Sequence, residues 1–208
     1  MSHYSQNFEK YKEFLNRKVR YDFAMFDLPL EGRILDMGCG FGDRIRLLQG
    51  MGCRDVHGID IDAHMVSEAR KQCATIREGS ITASGWEAGS FDAVLVENIF
   101  HHIADYDAAL AEVARILKPQ GLLCLIEPRN SLSRKALDFV TFKTPVPRWL
   151  GGPWALRYAV MKEEMDTGLY PKWLVSQDEF RDLLRRRFDV IWWRRNPWFF
   201  MVKTTRRG

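Results

Sequence analysis

The chain is poor in cysteine. Among its 208 residues only Cys39, Cys53, Cys73 and Cys124 occur, with no CxxC pair and no metal-ligand spacing, which argues against a disulfide framework and a cysteine-bound zinc. Free thiols suit a reducing compartment. There is also no run near the roughly 18 apolar residues of a membrane-spanning helix. The opening Met1-Ser2-His3-Tyr4-Ser5-Gln6-Asn7 lacks the apolar segment of a secretion signal, so a cytoplasmic location is expected. No internal repeat, low-complexity tract or grouping of histidines with carboxylates stands out, and no metal is expected. What is present is ordinary globular composition, 46% hydrophobic and 28% charged, which can bury a core. The length fits one domain at about 100 to 200 residues per domain.

The net charge of +4 hides an asymmetry. Residues 1–128 hold 14 Lys and Arg against 19 Asp and Glu, whereas residues 129–208 hold 17 against 8. The excess positive charge belongs to the C-terminal part, where it either forms a solvated surface or attracts an anionic partner.

Along the chain, Phe8, Tyr11, Leu15, Val19 and Phe23 recur at helical spacing, so residues 1–28 are read as a helical lid. Arg33–Met37 reads as a strand, followed by Gly38, Gly40 and Gly42 and a helix over Asp43–Met51. The unit repeats with a strand at Val56–Asp60 and a helix over Asp62–Ala74, and a third strand is expected around Thr75–Arg77. Phe91–Val96, apolar but for Asp92, is a run of the kind found in buried parallel strands. Ala108–Leu117 reads as a helix and Leu122–Ile126 as the next strand. This alternation implies an α/β sandwich with a largely parallel sheet. It stops after Pro128. Residues 129–176 are rich in proline, glycine and aromatics and are read as a cap insertion within a single domain. Ser176 with Glu179 matches a capping box, and Phe188–Trp193 with Trp198–Lys203 reads as a terminal antiparallel hairpin.

The glycine loop follows the first strand, where an open parallel sheet forms its ligand crevice. Glycine there lets backbone amides approach a ligand closely. Asp60, 20 residues beyond Gly40, is placed to accept both hydroxyls of a ribose. NAD and S-adenosylmethionine share that diol, but the third glycine comes one residue earlier than in the dinucleotide fingerprint, and Asp43 follows it. Both features disfavour a pyrophosphate at the helix N-terminus.

With Ile34-Leu35-Asp36-Met37-Gly38-Cys39-Gly40-Phe41-Gly42, Gly58-Ile59-Asp60-Ile61-Asp62, Ser90-Phe91-Asp92-Ala93-Val94 through His101-His102-Ile103, and Leu117-Lys118-Pro119-Gln120-Gly121-Leu122-Leu123 in this order, the chain resembles the class I S-adenosylmethionine-dependent methyltransferases of the small-molecule kind. The resemblance covers residues 30–127 and, more weakly, 176–205. It implies a Rossmann-like three-layer sandwich with a mostly parallel seven-stranded sheet and a C-terminal antiparallel hairpin. It also implies S-adenosylmethionine as cofactor and S-adenosylhomocysteine as product. By resemblance, Asp36 holds the methionine end, backbone at Gly38, Cys39 and Gly40 lines it, Asp60 binds the ribose and Ile61 flanks the adenine. Ser80 and Ile81 stand where the family often has an acidic residue reading the adenine amine, and Glu97 and Asn98 lie beside the methionine moiety.

A methyl sulfonium is already activated, so the protein has to place a nucleophile in line and exclude water. A hydroxyl acceptor gains from a general base, and His102, after the fourth strand, is the expected base, with His57 and His64 read as structural. Tyr11, Phe100 and the tryptophans of the insertion are candidate walls. Tryptophans interleaved with Arg129, Arg134, Lys135, Arg148 and Arg157 suit a small-molecule acceptor that is anionic or lipid-associated, or peripheral contact with a membrane. Nucleic acid is not expected. Two other readings stay open: a cofactor-binding regulatory partner without catalysis, and an NAD-dependent oxidoreductase.

Overall fold

A computed structural model describes residues 25–208 except 72 and 74, and the side chains of all of these but 148, 153 and 156. The lid expected over 1–28 therefore falls mostly outside the described residues, as does Tyr11. Of its end, Phe26 is fully buried and stacks on Trp192 with ring centroids 5.1 Å apart.

The apolar runs form a seven-stranded sheet: β1 (Arg33–Met37), β2 (Asp55–Asp60), β3 (Ile76–Glu78), β4 (Phe91–Glu97), β5 (Leu117–Pro128), β6 (Phe188–Arg195) and β7 (Phe199–Arg206). Their order is β3-β2-β1-β4-β5-β7-β6. β7 runs antiparallel to both β5 and β6, and the other neighbours pair parallel. Successive side chains of a strand leave opposite faces. Val94 and Val96 of β4 accordingly join one core and Ala93 and Leu95 the other. The first core is covered by α3 (Tyr106–Ile116) and α8 (Gln177–Arg187), the second by α1 (Asp43–Gly50) and α2 (Ala63–Arg70). Helices on both faces explain why β4 is apolar from Ala93 to Val96 rather than alternating.

Local chemistry sets the ends of these elements. Asp62 opens α2 from outside, its Oδ1 accepting the amides of His64 at 2.9 Å and Met65 at 3.0 Å. Within β5, residues 118–121 loop out: Phe91 faces Leu117 and Ala93 faces Leu122. Gln120 takes φ +63°, and a Cβ on Gly121 would stand 2.9 Å from the Lys118 carbonyl. At the tip of the terminal hairpin, Asn196 Oδ1 accepts the amides of Trp198 at 2.8 Å and Phe199 at 2.7 Å, an Asx turn. The capping box expected at Ser176 is not formed. Ser176 makes no side-chain cap: its backbone, at φ −100° and ψ 13°, is outside the extended region of an N-cap residue, and its hydroxyl lies 3.0 Å from the Tyr106 hydroxyl.

The cap insertion folds as α4 (Leu132–Lys143), α5 (Val146–Leu150), α6 (Gly152–Asp166) and α7 (Leu169–Val175). No helix among the described residues is long and apolar enough to cross a membrane. The strand order reverses between β1 and β4, which opens a crevice at their carboxyl ends.

Candidate active site

At the end of β1 the chain turns through Gly38, whose φ is +79°. The amides of Gly38 and Cys39 both donate to the Ile59 carbonyl, at 2.8 and 3.0 Å, so the loop is tied across to β2. A Cβ on Gly38 would lie 2.1 Å from Ile99 Cδ1; packing as well as backbone conformation requires glycine here. Asp60, at the end of β2, completes the tie. Its Oδ2 accepts the Gly40 amide at 2.8 Å and its Oδ1 the Asp62 amide at 3.0 Å. Each carboxylate oxygen can accept a second hydrogen bond, so the group that shapes the loop can also receive hydroxyls. Ile61 beside it is 76% exposed, an aliphatic surface at the rim. Asn98, at the end of β4, takes φ +55° and Nδ2 donates to Glu97 at 3.4 Å.

Beneath the loop lies an ion pair that sequence reasoning missed. Asp36 is fully buried, and its Oδ1 is 2.8 Å from Arg44 Nε and 2.7 Å from Nη2. Arg44 Nη2 also donates to the Gly38 carbonyl at 2.6 Å, and Nη1 stands 3.3 Å from Glu97 Oε2. One guanidinium thus joins the ends of β1 and β4 to the glycine loop. Burial works against its charge, yet Asp36 and Glu97 outweigh burial and hold Arg44 protonated. Burial likewise raises the Asp36 pKa, against the pull of Arg44. Asp36 Oδ2 is buried with no hydrogen-bond partner. A buried carboxylate oxygen without a partner, at the end of β1 beside the glycine loop, suits an ammonium donor, which is what the methionine end of S-adenosylmethionine presents.

The remaining expected contacts divide. The Cys39 thiol is pushed well up by burial and then by the Asp36 charge, so it is held protonated and lines the loop without ionic chemistry. Ser80 Oγ is 2.9 Å from Thr82 Oγ1, and Ile81 packs into the core. Trp173 and Tyr170 are also core residues. Trp173 Nε1 donates to the Pro128 carbonyl at 2.8 Å, so these two rings form structure rather than an acceptor wall. Phe100, another candidate wall, is fully buried as well.

No grouping of histidines with carboxylates stands out in the sequence, but the fold makes one. After β4, a 3₁₀ turn at Phe100–His102 brings His101 and His102 side by side, with ring centroids 4.1 Å apart. His101 Nδ1 is 3.0 Å from Glu127 Oε2 on β5. Glu127 Oε1 accepts the amides of Ile99 and Phe100, both at 2.8 Å. Glu164 comes down from α6 to within 3.8 Å of the Nε2 atoms of both histidines. Burial disfavours a charged His101, but Glu127 and Glu164 overcome it and push the pKa up to about 9. His102 is pushed down to about 4 by burial and then by His101, against Glu164.

Residues 35–125 match the family described as a methyltransferase domain. The chain is 32% identical to a ubiquinone biosynthesis O-methyltransferase of Sinorhizobium medicae over 158 residues, 72% of this chain and 63% of that protein. It is 34% identical to a demethylmenaquinone methyltransferase of Thermus thermophilus over 119 residues, 52% of this chain and 54% of that protein. The fold is shared with an S-adenosylmethionine-dependent methyltransferase of Methanosarcina mazei, with a TM-score of 0.64 at 18% identity over 86% of this chain and 94% of that one.

Residues 35–125 therefore carry a methyltransferase domain, of the class I S-adenosylmethionine-dependent kind. The chain spans less than two thirds of the length of the two curated relatives named here. Gly38, Cys39, Gly40, Asp36, Asp60, Glu97 and Asn98 lie together at the carboxyl ends of β1, β2 and β4. Arg44, Glu127, His101 and Glu164 add to them. Arg44 lies on a helix that reads as solvated, and its only signal was Asp36 itself, an acid ending a buried strand that needs a counter-charge. Glu127 and Glu164 carried no signal, because 26 and 63 residues separate them from His101.

A second, partly buried network anchors the cap. Arg157 Nη2 donates to Asp138 Oδ1 at 2.7 Å, and the Tyr170 hydroxyl donates to Asp138 Oδ2 at 3.2 Å. Tyr170 in turn meets His101 edge-on at 5.8 Å, which links the cap network to the histidine cluster.

Proposed function

We propose that this protein transfers a methyl group from S-adenosylmethionine to a hydroxyl of a small, quinone-like, lipid-associated acceptor held beneath the α4–α7 cap. The observation that carries the cofactor part is the open Asp36 Oδ2, buried beside the glycine loop. Asp36 and Glu97 would receive the ammonium, with backbone at Gly38, Cys39 and Gly40 along the methionine chain and Asn98 beside it. Asp60 would take the ribose hydroxyls, Ile61 one face of the adenine, and the Ser80–Ile81 backbone its edge. When bound, the cofactor supplies a methyl on a cationic sulfur, already activated for in-line displacement. The protein's part is to bind, orient and exclude water. The acceptor hydroxyl would be held at the His102 side of the histidine cluster, in line with the methyl, and would pass its proton to that cluster as it is methylated.

The acceptor class is supported by the names of the relatives and by the cap surface. Leu132, Phe139, Trp149 and Leu150 are exposed on α4 and α5, with Lys135 and Lys143 exposed on the same stretch. Aromatic and leucine side chains flanked by lysines suit the boundary of an anionic membrane. The test is transfer of labelled methyl from S-adenosylmethionine to hydroxylated quinones presented in vesicles, compared with soluble amines and carboxylates. Product with the quinones alone supports the reading; transfer to nitrogen or to water-soluble acids instead overturns it.

A further inference from the structure

Glu164 Oε2 stands 3.8 Å from His101 Nε2, and Oε1 stands 3.8 Å from His102 Nε2. The three donor atoms that these residues offer all lie within 4.8 Å of one another. These separations are too long for hydrogen bonds. They are close to the spacing of ligands around one ion: donors about 2.0 to 2.2 Å from a tetrahedral metal stand roughly 3.4 Å apart. We propose that His101, His102 and Glu164 form a binding site for a divalent transition-metal ion of the zinc type.

The donor set favours such an ion. Two imidazoles with one carboxylate suit zinc and its neighbours, whereas magnesium and calcium prefer oxygen alone. A second observation is independent of the three ligands. His101 Nδ1 faces Glu127 Oε2 at 3.0 Å, and Glu127 is itself fixed by two backbone amides. A carboxylate behind a metal-binding histidine sets the tautomer that turns the Nε2 lone pair to the ion, and Glu127 is a buried acid in that position. His101 and Glu164 are buried, while the His102 side chain is one third exposed. The site is therefore closed on the protein side, with its third ligand at the edge.

The ion would do two things. It would join the turn after β4 to cap helix α6, and it would offer an open coordination position to an acceptor oxygen and lower that oxygen's pKa. His102 Nε2, which points at Glu164, then serves as a ligand, and this role replaces the general base expected from the sequence. The site stands whether or not the acceptor is the one proposed above, since it is tested by metal content and not by turnover.

The full chain, stripped with chelator, re-equilibrated with zinc and gel-filtered, is expected to retain about one zinc per chain by mass spectrometry. E164Q, which is isosteric, and H102A, at the half-open edge, are expected to lose the zinc while keeping the wild-type far-ultraviolet circular dichroism. E127Q should weaken zinc by about 10- to 100-fold without abolishing it. H57Q, remote from the cluster, should retain it. Cobalt(II) loading gives a second readout, a visible absorption band present in wild type and absent in E164Q. Wild-type protein that retains no zinc, or folded E164Q and H102A variants that bind zinc like wild type, would overturn the site.

Discussion

Replacing Arg44 by Met probes how the glycine loop is supported. The substitution keeps the length and apolar stem of the side chain and removes the guanidinium. Asp36 Oδ1 loses both close donors and the Gly38 carbonyl loses its 2.6 Å bond. Asp36 is fully buried, so its charge cannot turn to water. Breaking a buried pair on one side costs about 3 to 5 kcal/mol. For a chain of this size each kcal/mol shifts the melting temperature by roughly 2 to 4 °C, which gives a drop of about 6 to 20 °C. Asp36 should escape part of that cost by taking a proton. Burial already raises its pKa, and without Arg44 the rise is larger. A raised carboxyl pKa destabilises the fold above its ordinary value of 3.8, so the deficit should shrink as pH falls from 7 toward 4. The D36N/R44M double variant, which buries no charge, should regain much of the loss. Urea unfolding across that pH range measures all three proteins. An R44M melting temperature within about 2 °C of wild type, or a deficit that does not depend on pH, would refute the assignment of Arg44 as the counter-charge.

Asp60→Ala removes the acceptor of two backbone amides that shape the loop. It also removes the proposed acceptor of the two ribose hydroxyls; at about 1.5 kcal/mol or more for each such charge-assisted bond, S-adenosylhomocysteine should bind at least ~100-fold more weakly by calorimetry, and equal affinity would remove Asp60 from the site. Gly38→Ala combines positive φ with a clash on Ile99, about 1 to 2 kcal/mol for the backbone and 1 to 3 for overpacking. Gly40→Ala meets only Met65 Sδ at 3.8 Å, so it should cost the backbone part alone, and equal costs for the pair in chemical denaturation would refute the packing argument. Glu112 accepts from Arg115 at 2.7 Å and from the Ser84 amide and hydroxyl at 2.9 and 2.5 Å. The Arg115 bond first, with the Ser84 bonds, holds its carboxyl down to about 2, against burial. Its contribution is therefore present above the ordinary 4.5 and lost as pH falls through about 2. Glu112→Gln should cost about 2 to 3 kcal/mol at neutral pH and progressively less below pH ~4.5; a deficit constant with pH would contradict the sign.

Sequence reading determined the sheet because its signals are local. The apolar run Phe91–Val96, the glycines after Met37 and the Asp60 that closes the second strand each state their role within a few residues. The observed β1, β2 and β4 follow the expected ranges within one residue. The family motifs are local in the same sense, which is why the cofactor crevice was legible. Ser176 shows where local reading fails. Its spacing to Glu179 fits a capping box, but its backbone is not extended and its hydroxyl meets Tyr106, 70 residues earlier. The same limit hid Arg44, Glu127 and Glu164. A charge on an amphipathic helix looks solvated until the fold places a buried acid against it, and a histidine pair looks isolated until β5 and α6 bring two carboxylates to it. Sequence by itself determined the strands, the loop and the methyl-donor crevice. Only the tertiary structure decided which charges are buried together, because burial and pairing depend on contacts between residues far apart in the chain.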